Sequence, residues 1–256
     1  MPSESKSTRG RARLGVVVPV TNTNLEPDLA LLVPEGVSFH VSRSGGYDVD
    51  AIPDEHQMRQ YSDTHSDEVV DALRHCGSQV ILYGCTSATL AQGPDYDAAF
   101  RNEIEARTGI PTMTAAGAVV AALRDLGVET FAFSSPYVAT LNDLAVSFIE
   151  AFGFRCVGRA DAPKPLGNAE VSALTPAEAV ALAERADTEE AEAVVLSCTD
   201  LRAAEAVAEI ERRLGKPVVT SNQAILVWGL RRLGIPFETS PLKDHLLVRK
   251  LTQTVS

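Results

Sequence analysis

Short apolar runs recur along the chain, and longer amphipathic stretches separate them. Short runs rich in β-branched residues are typical of strands, whereas apolar positions three and four residues apart are typical of helices. The predicted strands are Gly15–Val20, Val37–Ser42, Gln79–Tyr83, Thr112–Thr114, Thr130–Ser134, Phe154–Gly158, Ala193–Leu196 and Val218–Thr220. The predicted helices are Asp54–His75, Tyr96–Thr108, Ala116–Leu126, Val138–Phe152, Pro176–Arg185, Leu201–Leu214 and Gln223–Leu233. This alternation predicts an α/β protein with parallel sheets flanked by helices.

The second half of the chain repeats the pattern of the first. When Ala98–Thr114 is placed over Ala204–Thr220, an offset of 106 residues, eight positions are identical, including a Gly-x-Pro turn. A strand that ends in a cysteine precedes each copy, at Cys85 and at Cys198. Because the cysteines are 113 residues apart, the first copy has a loop seven residues longer after its cysteine. We predict a duplicated chain with two pseudo-symmetric, Rossmann-like halves, residues 14–130 and 131–235, and a C-terminal segment 236–256.

Both cysteines follow predicted strands at the carboxyl edge of a sheet, where parallel α/β proteins bind ligands. We therefore predict an active site in the cleft between the halves. A cysteine between a strand and a helix lies near a helix N-terminus, whose N–H groups stabilise a thiolate and can bind a substrate carboxylate. The residues that follow the cysteines and can cap such helices are Thr86, Ser87, Thr199 and Asp200. The structural alternative is that both cysteines are buried apolar side chains.

Two thiols that face one carbon from opposite sides suit two reactions. In racemisation, one thiolate removes an α-proton and the other thiol returns a proton from the opposite face. In cis–trans isomerisation, one thiolate adds to an activated double bond, the resulting single bond rotates, and elimination gives the trans alkene. The sequence alone leaves both reactions open.

Composition limits the remaining classes of function. The net charge of −11 argues against a nucleic-acid-binding protein, because phosphate binding requires basic patches. The apolar runs are too short to cross a membrane, and Met1–Arg13 is a polar, basic stretch that we predict to be a disordered tail rather than a signal peptide. Cys76, Cys85, Cys156 and Cys198 show no CxxC spacing, which favours reduced thiols in the cytoplasm.

The sequence lacks the signals of common cofactors. The five histidines have no metal-site spacing, and no lysine is placed for a pyridoxal Schiff base. Neither a GxGxxG motif after the first strand nor a GxxxxGK[ST] motif is present. We therefore predict an enzyme without metal or organic cofactor.

Several stretches taken together resemble the aspartate/glutamate/hydantoin racemase superfamily, and most closely its branch of maleate cis–trans isomerases and arylmalonate decarboxylases. They are Gly15–Thr23 with Glu26, Tyr83–Ser87, Ser135–Tyr137, Asn168–Val171, Ser197–Thr199 and Pro217–Asn222. The resemblance covers about residues 13–236. It implies a homodimeric enzyme that acts on a small carboxylate.

The resemblance also implies roles for individual residues. Cys85 would be the nucleophile and Cys198 the acid/base. Asn22, Tyr137 and Asn168 would bind the substrate, and the other predicted substrate-binding residues are Thr21, Thr86, Ser87 and Thr199. From the residues alone, Asn22 could equally form an Asx turn or a helix cap, Tyr137 a packed aromatic, and Asn168 a turn in the loop Pro163–Asn168.

The leading hypothesis is isomerisation of maleate to fumarate. Both cysteines are followed by threonine, as in the amino-acid racemases, whereas maleate isomerases usually have an apolar residue there, so amino-acid or hydantoin racemisation is the second hypothesis. Arylmalonate decarboxylases usually carry glycine at the position of Cys85, which argues against decarboxylation, the third. A non-catalytic module that binds a small carboxylate is the fourth.

Overall fold

The computed structural model describes residues 10–45 and 67–253. In these ranges, eight strands form two parallel, four-stranded sheets. The strands are β1 (Ala12–Pro19), β2 (Val37–Ser44), β3 (Val80–Tyr83), β4 (Thr112–Thr114), β5 (Thr130–Ser134), β6 (Arg155–Ala160), β7 (Ala193–Leu196) and β8 (Val218–Thr220). The first sheet has the order β2-β1-β3-β4 and the second β6-β5-β7-β8. The sheets therefore have the same topology, and the predicted α/β fold with two equivalent halves is confirmed.

Helices cover the sheets. They are α1 (Leu25–Leu32), α2 (Asp67–His75), α3 (Thr86–Leu90), α4 (Pro94–Thr108), α5 (Ala115–Leu126), α6 (Ala139–Glu150), α7 (Asn168–Ser172), α8 (Pro176–Ala186), α9 (Val207–Leu214), α10 (Ser221–Arg232) and α11 (Leu246–Gln253). No helix in the described ranges is long and apolar enough to cross a membrane.

The helix before the last strand of each sheet ends in the same way. Gly109 and Gly215, with φ of 69° and 68°, cap α4 and α9 in the left-handed region that glycine adopts without strain. Their N–H groups donate to the carbonyl oxygens of Glu105 and Glu211. The side chains of the same glutamates accept hydrogen bonds from the first N–H groups of β4 and β8, at 2.8 and 3.1 Å. The repeat found in the sequence is therefore also present in the structure.

The two halves share one core. α5 packs against α10, and α10 also contacts β3 and β4 of the first sheet. The largest hydrophobic cluster accordingly contains Leu82 of the first sheet, Phe131 and Val195 of the second, and Leu226 of α10, all fully buried. Because apolar side chains from both halves fill the same interior, this packing fixes the relative position of the two sheets.

Two predictions for the first half differ from the structure, and a third lies partly outside the described residues. β1 begins at Ala12, which pairs with Val37 and is buried, so the prediction of a tail up to Arg13 is wrong for its last two residues. The longer first-half loop after Cys85 is mostly helical, because α3 follows the cysteine at once and α4 begins at Pro94. The part of the predicted helix Asp54–His75 before Asp67 lies outside the described residues.

The predicted helix Leu201–Leu214 is wrong in its first turns. α9 begins only at Val207, and the chain before it forms turns in which the N–H of Ala203 donates to the carbonyl of Leu201 at 2.7 Å. Leu201 and Ala203 are both buried. Packing of these apolar side chains in a tight turn overrides the helical pattern that they share with the following residues.

Candidate active site

The two cysteines lie just beyond the ends of equivalent strands, and both are buried. Gly84 donates its N–H to the carbonyl of Val17 on the neighbouring strand at 2.8 Å, and Ser197 donates to Ser134 at 2.9 Å. These bonds carry the sheet register one residue past β3 and β7, so that Cys85 and Cys198 leave the two sheets at corresponding points. A side chain at position 84 would collide with α1 and with the Val17 carbonyl, which explains the glycine there.

Cys85 is the N-cap of α3 and is surrounded by hydrogen-bond donors. The N–H groups of Ser87 and Ala88 point to its sulfur, and the Ser87 hydroxyl lies 3.8 Å from Sγ. Burial raises the pKa of the Cys85 thiol, and these three donors oppose the rise because they stabilise the thiolate.

Cys198 has a different environment. Its Sγ lies 3.2 Å from the Tyr137 hydroxyl and accepts the N–H of Asp200 at 3.3 Å. Burial, followed by the negative charge of Asp200, raises the pKa of the Cys198 thiol to about 12, and the interaction with Cys85 adds to the rise. Since no helix begins directly after Cys198, the predicted stabilisation of this thiolate by a helix N-terminus is wrong.

Asn22 has a structural role and also reaches the second half. Its side-chain oxygen accepts the N–H groups of Asn24 at 3.1 Å and Leu25 at 2.9 Å, which is the Asx-type cap that the sequence left open. Its amide nitrogen donates to the Thr199 hydroxyl at 3.0 Å. Thus Asn22 fixes the start of α1 and lies next to the Cys198 loop.

The two threonines that follow the cysteines connect the halves. Thr86 donates its hydroxyl to Ser221 Oγ at the start of α10, at 3.0 Å, and Thr199 donates to the carbonyl of Gly84 at 2.9 Å. Both threonines are buried. Each hydroxyl is therefore used to hold one cysteine loop against the opposite half.

Asp200, Arg43 and Asn24 form a network that the sequence did not assign to the site. The Asp200 carboxylate accepts the N–H groups of Thr23 at 2.8 Å and Asn24 at 3.1 Å. Arg43 donates to the carbonyl of Asn22 at 2.9 Å and pairs with Glu26. Burial raises the pKa of Asp200 to about 6, against these hydrogen bonds and the charge of Arg43. Asp200 meets Thr23 and Asn24 only through contacts between the halves, and such contacts leave no pattern in the sequence.

Thr21 and Asn168 are the remaining predicted site residues. Thr21 is half-buried in the turn closed by the hydrogen bond from Asn22 N–H to the carbonyl of Pro19. Asn168 is half-buried and begins α7, where the sequence predicted a loop. The Asn24 side chain donates to the carbonyl of Ser172 at the end of α7, at 3.0 Å, and so ties that helix to the site.

Chemically, this arrangement offers two thiols with unequal surroundings and several neutral hydrogen-bond donors. Within the described residues, no group of three or more His, Cys, Asp and Glu side chains is placed to hold a metal ion. The sulfurs can exchange protons with a bound substrate, and Cys85 can also act as a nucleophile because donors surround its thiolate.

Comparison with known proteins gives a consistent result. The family profile of arylmalonate decarboxylase matches residues 14–241. The chain is 29% identical over 236 residues to a maleate isomerase of Pseudomonas putida, covering 87% of this chain and 92% of the relative. It is 28% identical over 215 residues to the arylmalonate decarboxylase of Bordetella bronchiseptica, covering 81% and 82%. A structure of a mutant Nocardia farcinica maleate cis–trans isomerase with a covalently bound succinylcysteine intermediate matches with a TM-score of 0.82 at 25% identity, covering 93% and 98%.

Proposed function

Because the chain belongs to the arylmalonate decarboxylase family, in the branch of the aspartate/glutamate racemase superfamily that includes the maleate isomerases, we propose that it is a cofactor-independent maleate cis–trans isomerase. The observation that carries this proposal is the pair of buried thiols at equivalent strand ends, close enough for Cys85 to contribute to the raised pKa of Cys198. Arylmalonate decarboxylases usually carry glycine at the position of Cys85, so a decarboxylase would not need this thiol.

The proposed reaction uses both thiols without net consumption of protons. The Cys85 thiolate adds to one alkene carbon of maleate, forming a C–S bond, while the π electrons move to the neighbouring carbon. That carbon takes a proton from the Cys198 thiol, and the former double bond rotates. Cys198 then takes a proton back, the double bond re-forms in the trans geometry, the C–S bond breaks, and fumarate leaves with Cys85 again a thiolate.

The hydrogen bonds of the site fit this sequence of steps. The donors around Cys85 stabilise the attacking and departing thiolate. The Tyr137 hydroxyl can donate to Cys198 when that sulfur has given up its proton. For the substrate carboxylates we propose Asn22, Tyr137 and Asn168 as ligands, with Thr21 and the N–H groups that follow the cysteines nearby.

The threonines no longer favour racemisation. They differ from the apolar residues usual in maleate isomerases, but both hydroxyls are used in bonds between the halves. They therefore add no donor that would select an amino acid over maleate. The preference for isomerisation therefore rests on the relatives, several of which are maleate isomerases.

The proposal is tested by proton NMR of maleate with the purified protein. We expect fumarate to form, and the rate to fall at least about 10²-fold in Cys85→Ala and in Cys198→Ala, the usual contribution of a catalytic proton donor. Cys76→Ala, at an exposed cysteine outside the site, is the control and should keep the wild-type rate. Interconversion of aspartate or glutamate enantiomers without any fumarate from maleate would instead establish the racemase.

We also propose, from the family resemblance and the thiol content, that the enzyme works in the cytoplasm as a homodimer, with halves 14–130 and 131–235. Light scattering coupled to size-exclusion chromatography measures the mass in solution. A mass near the 27.3 kDa of one chain would contradict the dimer.

A further inference from the structure

The two thiols occupy equivalent positions, yet the proposed reaction gives them different tasks. Their backbones leave β3 and β7 through matching hydrogen bonds, and each is followed by a threonine that bonds to the other half. After the shared threonine, the two segments differ at the second residue beyond each cysteine, which is Ser87 in the first half and Asp200 in the second.

We infer that Ser87 and Asp200 are positioning residues that divide the work between the thiols: Ser87 favours the thiolate of Cys85, and Asp200 keeps Cys198 in the thiol form. The Ser87 hydroxyl, 3.8 Å from Cys85 Sγ, can donate to a thiolate. The Asp200 carboxylate is an acceptor only, and its negative charge disfavours a second negative charge on Cys198.

Asp200 is held where its charge acts on Cys198. Its own N–H donates to Cys198 Sγ at 3.3 Å, and its carboxylate is anchored by the N–H groups of Thr23 and Asn24. The other groups that face Cys198 are the Tyr137 hydroxyl and Cys85, and the cation that acts on Asp200 is Arg43. The raised pKa of Asp200, about 6, leaves the carboxylate charged at neutral pH.

The inference rests on the proposed function only where it assigns Cys85 as the nucleophile and Cys198 as the proton donor. Which thiol ionises first is a property of the protein without substrate. It can therefore be measured by alkylation with iodoacetamide over a range of pH, followed by peptide mapping, so that each cysteine gives its own pH midpoint. A midpoint reports ionisation even when the two sulfurs differ in access.

In the wild-type protein, we expect the midpoint of Cys85 to lie below that of Cys198. In Asp200→Asn, the midpoint of Cys198 should fall by about one pH unit or more, which is about a tenfold faster alkylation at a fixed pH below both midpoints. Asp200→Glu, which keeps the negative charge, should keep the wild-type midpoint of Cys198. Asp28→Asn removes another buried carboxylate at the same interface and should leave both midpoints unchanged.

Ser87→Asp tests the other half of the site independently, in case Asp200 variants do not fold. This variant should raise the midpoint of Cys85. The ultraviolet absorbance of the thiolate, measured in the Cys85→Ala and Cys198→Ala proteins, gives a second measure of ionisation that needs no access of a reagent to the sulfur. An unchanged Cys198 midpoint in Asp200→Asn, or a wild-type Cys85 midpoint above that of Cys198, would overturn the inference even if maleate is isomerised. The predicted order without any fumarate would instead overturn the proposed function alone.

Discussion

Tyr137 illustrates how a single side chain connects the second half of the fold to the chemistry. It follows Ser135-Pro136 after β5, where the Ser135 hydroxyl accepts its N–H at 3.1 Å. The carbonyl of Tyr137 accepts the side-chain amide of Asn142, at 3.1 Å, so the backbone here is held on both sides. The ring is partly buried and its hydroxyl is fixed 3.2 Å from Cys198. A preorganised donor at this place stabilises a thiolate without further rearrangement.

Replacing Tyr137 by phenylalanine keeps the ring and removes only this donor. We expect kcat for maleate to fall about 10- to 100-fold, in line with about 1.5–3 kcal/mol for a hydrogen bond to a charged group. Steady-state kinetics measure the loss. Tyr96→Phe, on α4, is the control, and equal losses in both variants would show that the hydroxyl at position 137 has no special part.

At the scale of single residues, the sequence was sufficient for the cysteines but not for their partners. Strand-end position and the repeat predicted Cys85 and Cys198 as the chemical pair, and the structure places both at such ends. The sequence predicts Asp200 only as a helix cap, because its partners in the structure, Thr23 and Asn24, lie on the other half. Contacts between distant segments leave no local pattern.

At the scale of elements, the duplicated glutamates offer an internal comparison. Glu105 accepts one backbone N–H, at the start of β4. Glu211 accepts that of β8 and also the N–H of Leu246, at 3.0 Å, which begins α11. Glu211 is buried, whereas Glu105 is exposed. Glu211 thus has a role that Glu105 lacks, because it also attaches the C-terminal helix α11.

We therefore expect Glu211→Ala to lower the free energy of unfolding more than Glu105→Ala does. Each buried N–H left without an acceptor costs about 1–3 kcal/mol, while water can replace the exposed Glu105 carboxylate. Urea unfolding of the two variants beside the wild type measures both values. Equal losses would contradict the additional role of Glu211.

The elements themselves were predicted unevenly. The sequence predicts all eight strands, because β1, β3 and β7 contain continuous apolar runs and most of the others are rich in β-branched or aromatic residues. The helices α3 and α7 were missed, since five residues are too few to show a helical period. α1 was missed although Asn24 and Pro27 are typical of a helix start. α11 lies in the C-terminal segment, to which no element had been assigned.

At the scale of the whole molecule, two buried carboxylates lie between the halves. Asp28 on α1 accepts the side-chain amide of Asn222 on α10 at 2.8 Å, and Asp200 accepts two N–H groups from the first half. Burial raises the pKa of Asp28, like that of Asp200, from 3.8 to about 6. The folded protein therefore binds protons more tightly than the unfolded chain between about pH 4 and pH 6, and these two groups make it less stable as the pH rises through that range.

Asp28→Asn removes one of these groups. Relative to wild type, the free energy of unfolding of the variant should increase between pH 4 and pH 7, by up to about 3 kcal/mol, because two pKa units correspond to about 2.7 kcal/mol. Urea unfolding at several pH values measures the difference. Glu189→Gln, at an exposed carboxylate, reports the effect of losing one surface charge, and a difference that falls with pH in Asp28→Asn would contradict the assignment.

The covalent connection between the two halves has a consequence for the residues beside the thiols. In a complex of two separate, identical half-length chains, one gene would encode both positions, so a serine beside one thiol would require a serine beside the other. In this chain, β4 continues through α5 into β5, and the two positions are encoded separately. A mutation can then alter the acidity of one sulfur and leave its counterpart untouched. Because the two halves are joined in one chain, a duplicated half can supply a proton-donating thiol at one copy and a nucleophilic thiol at the other.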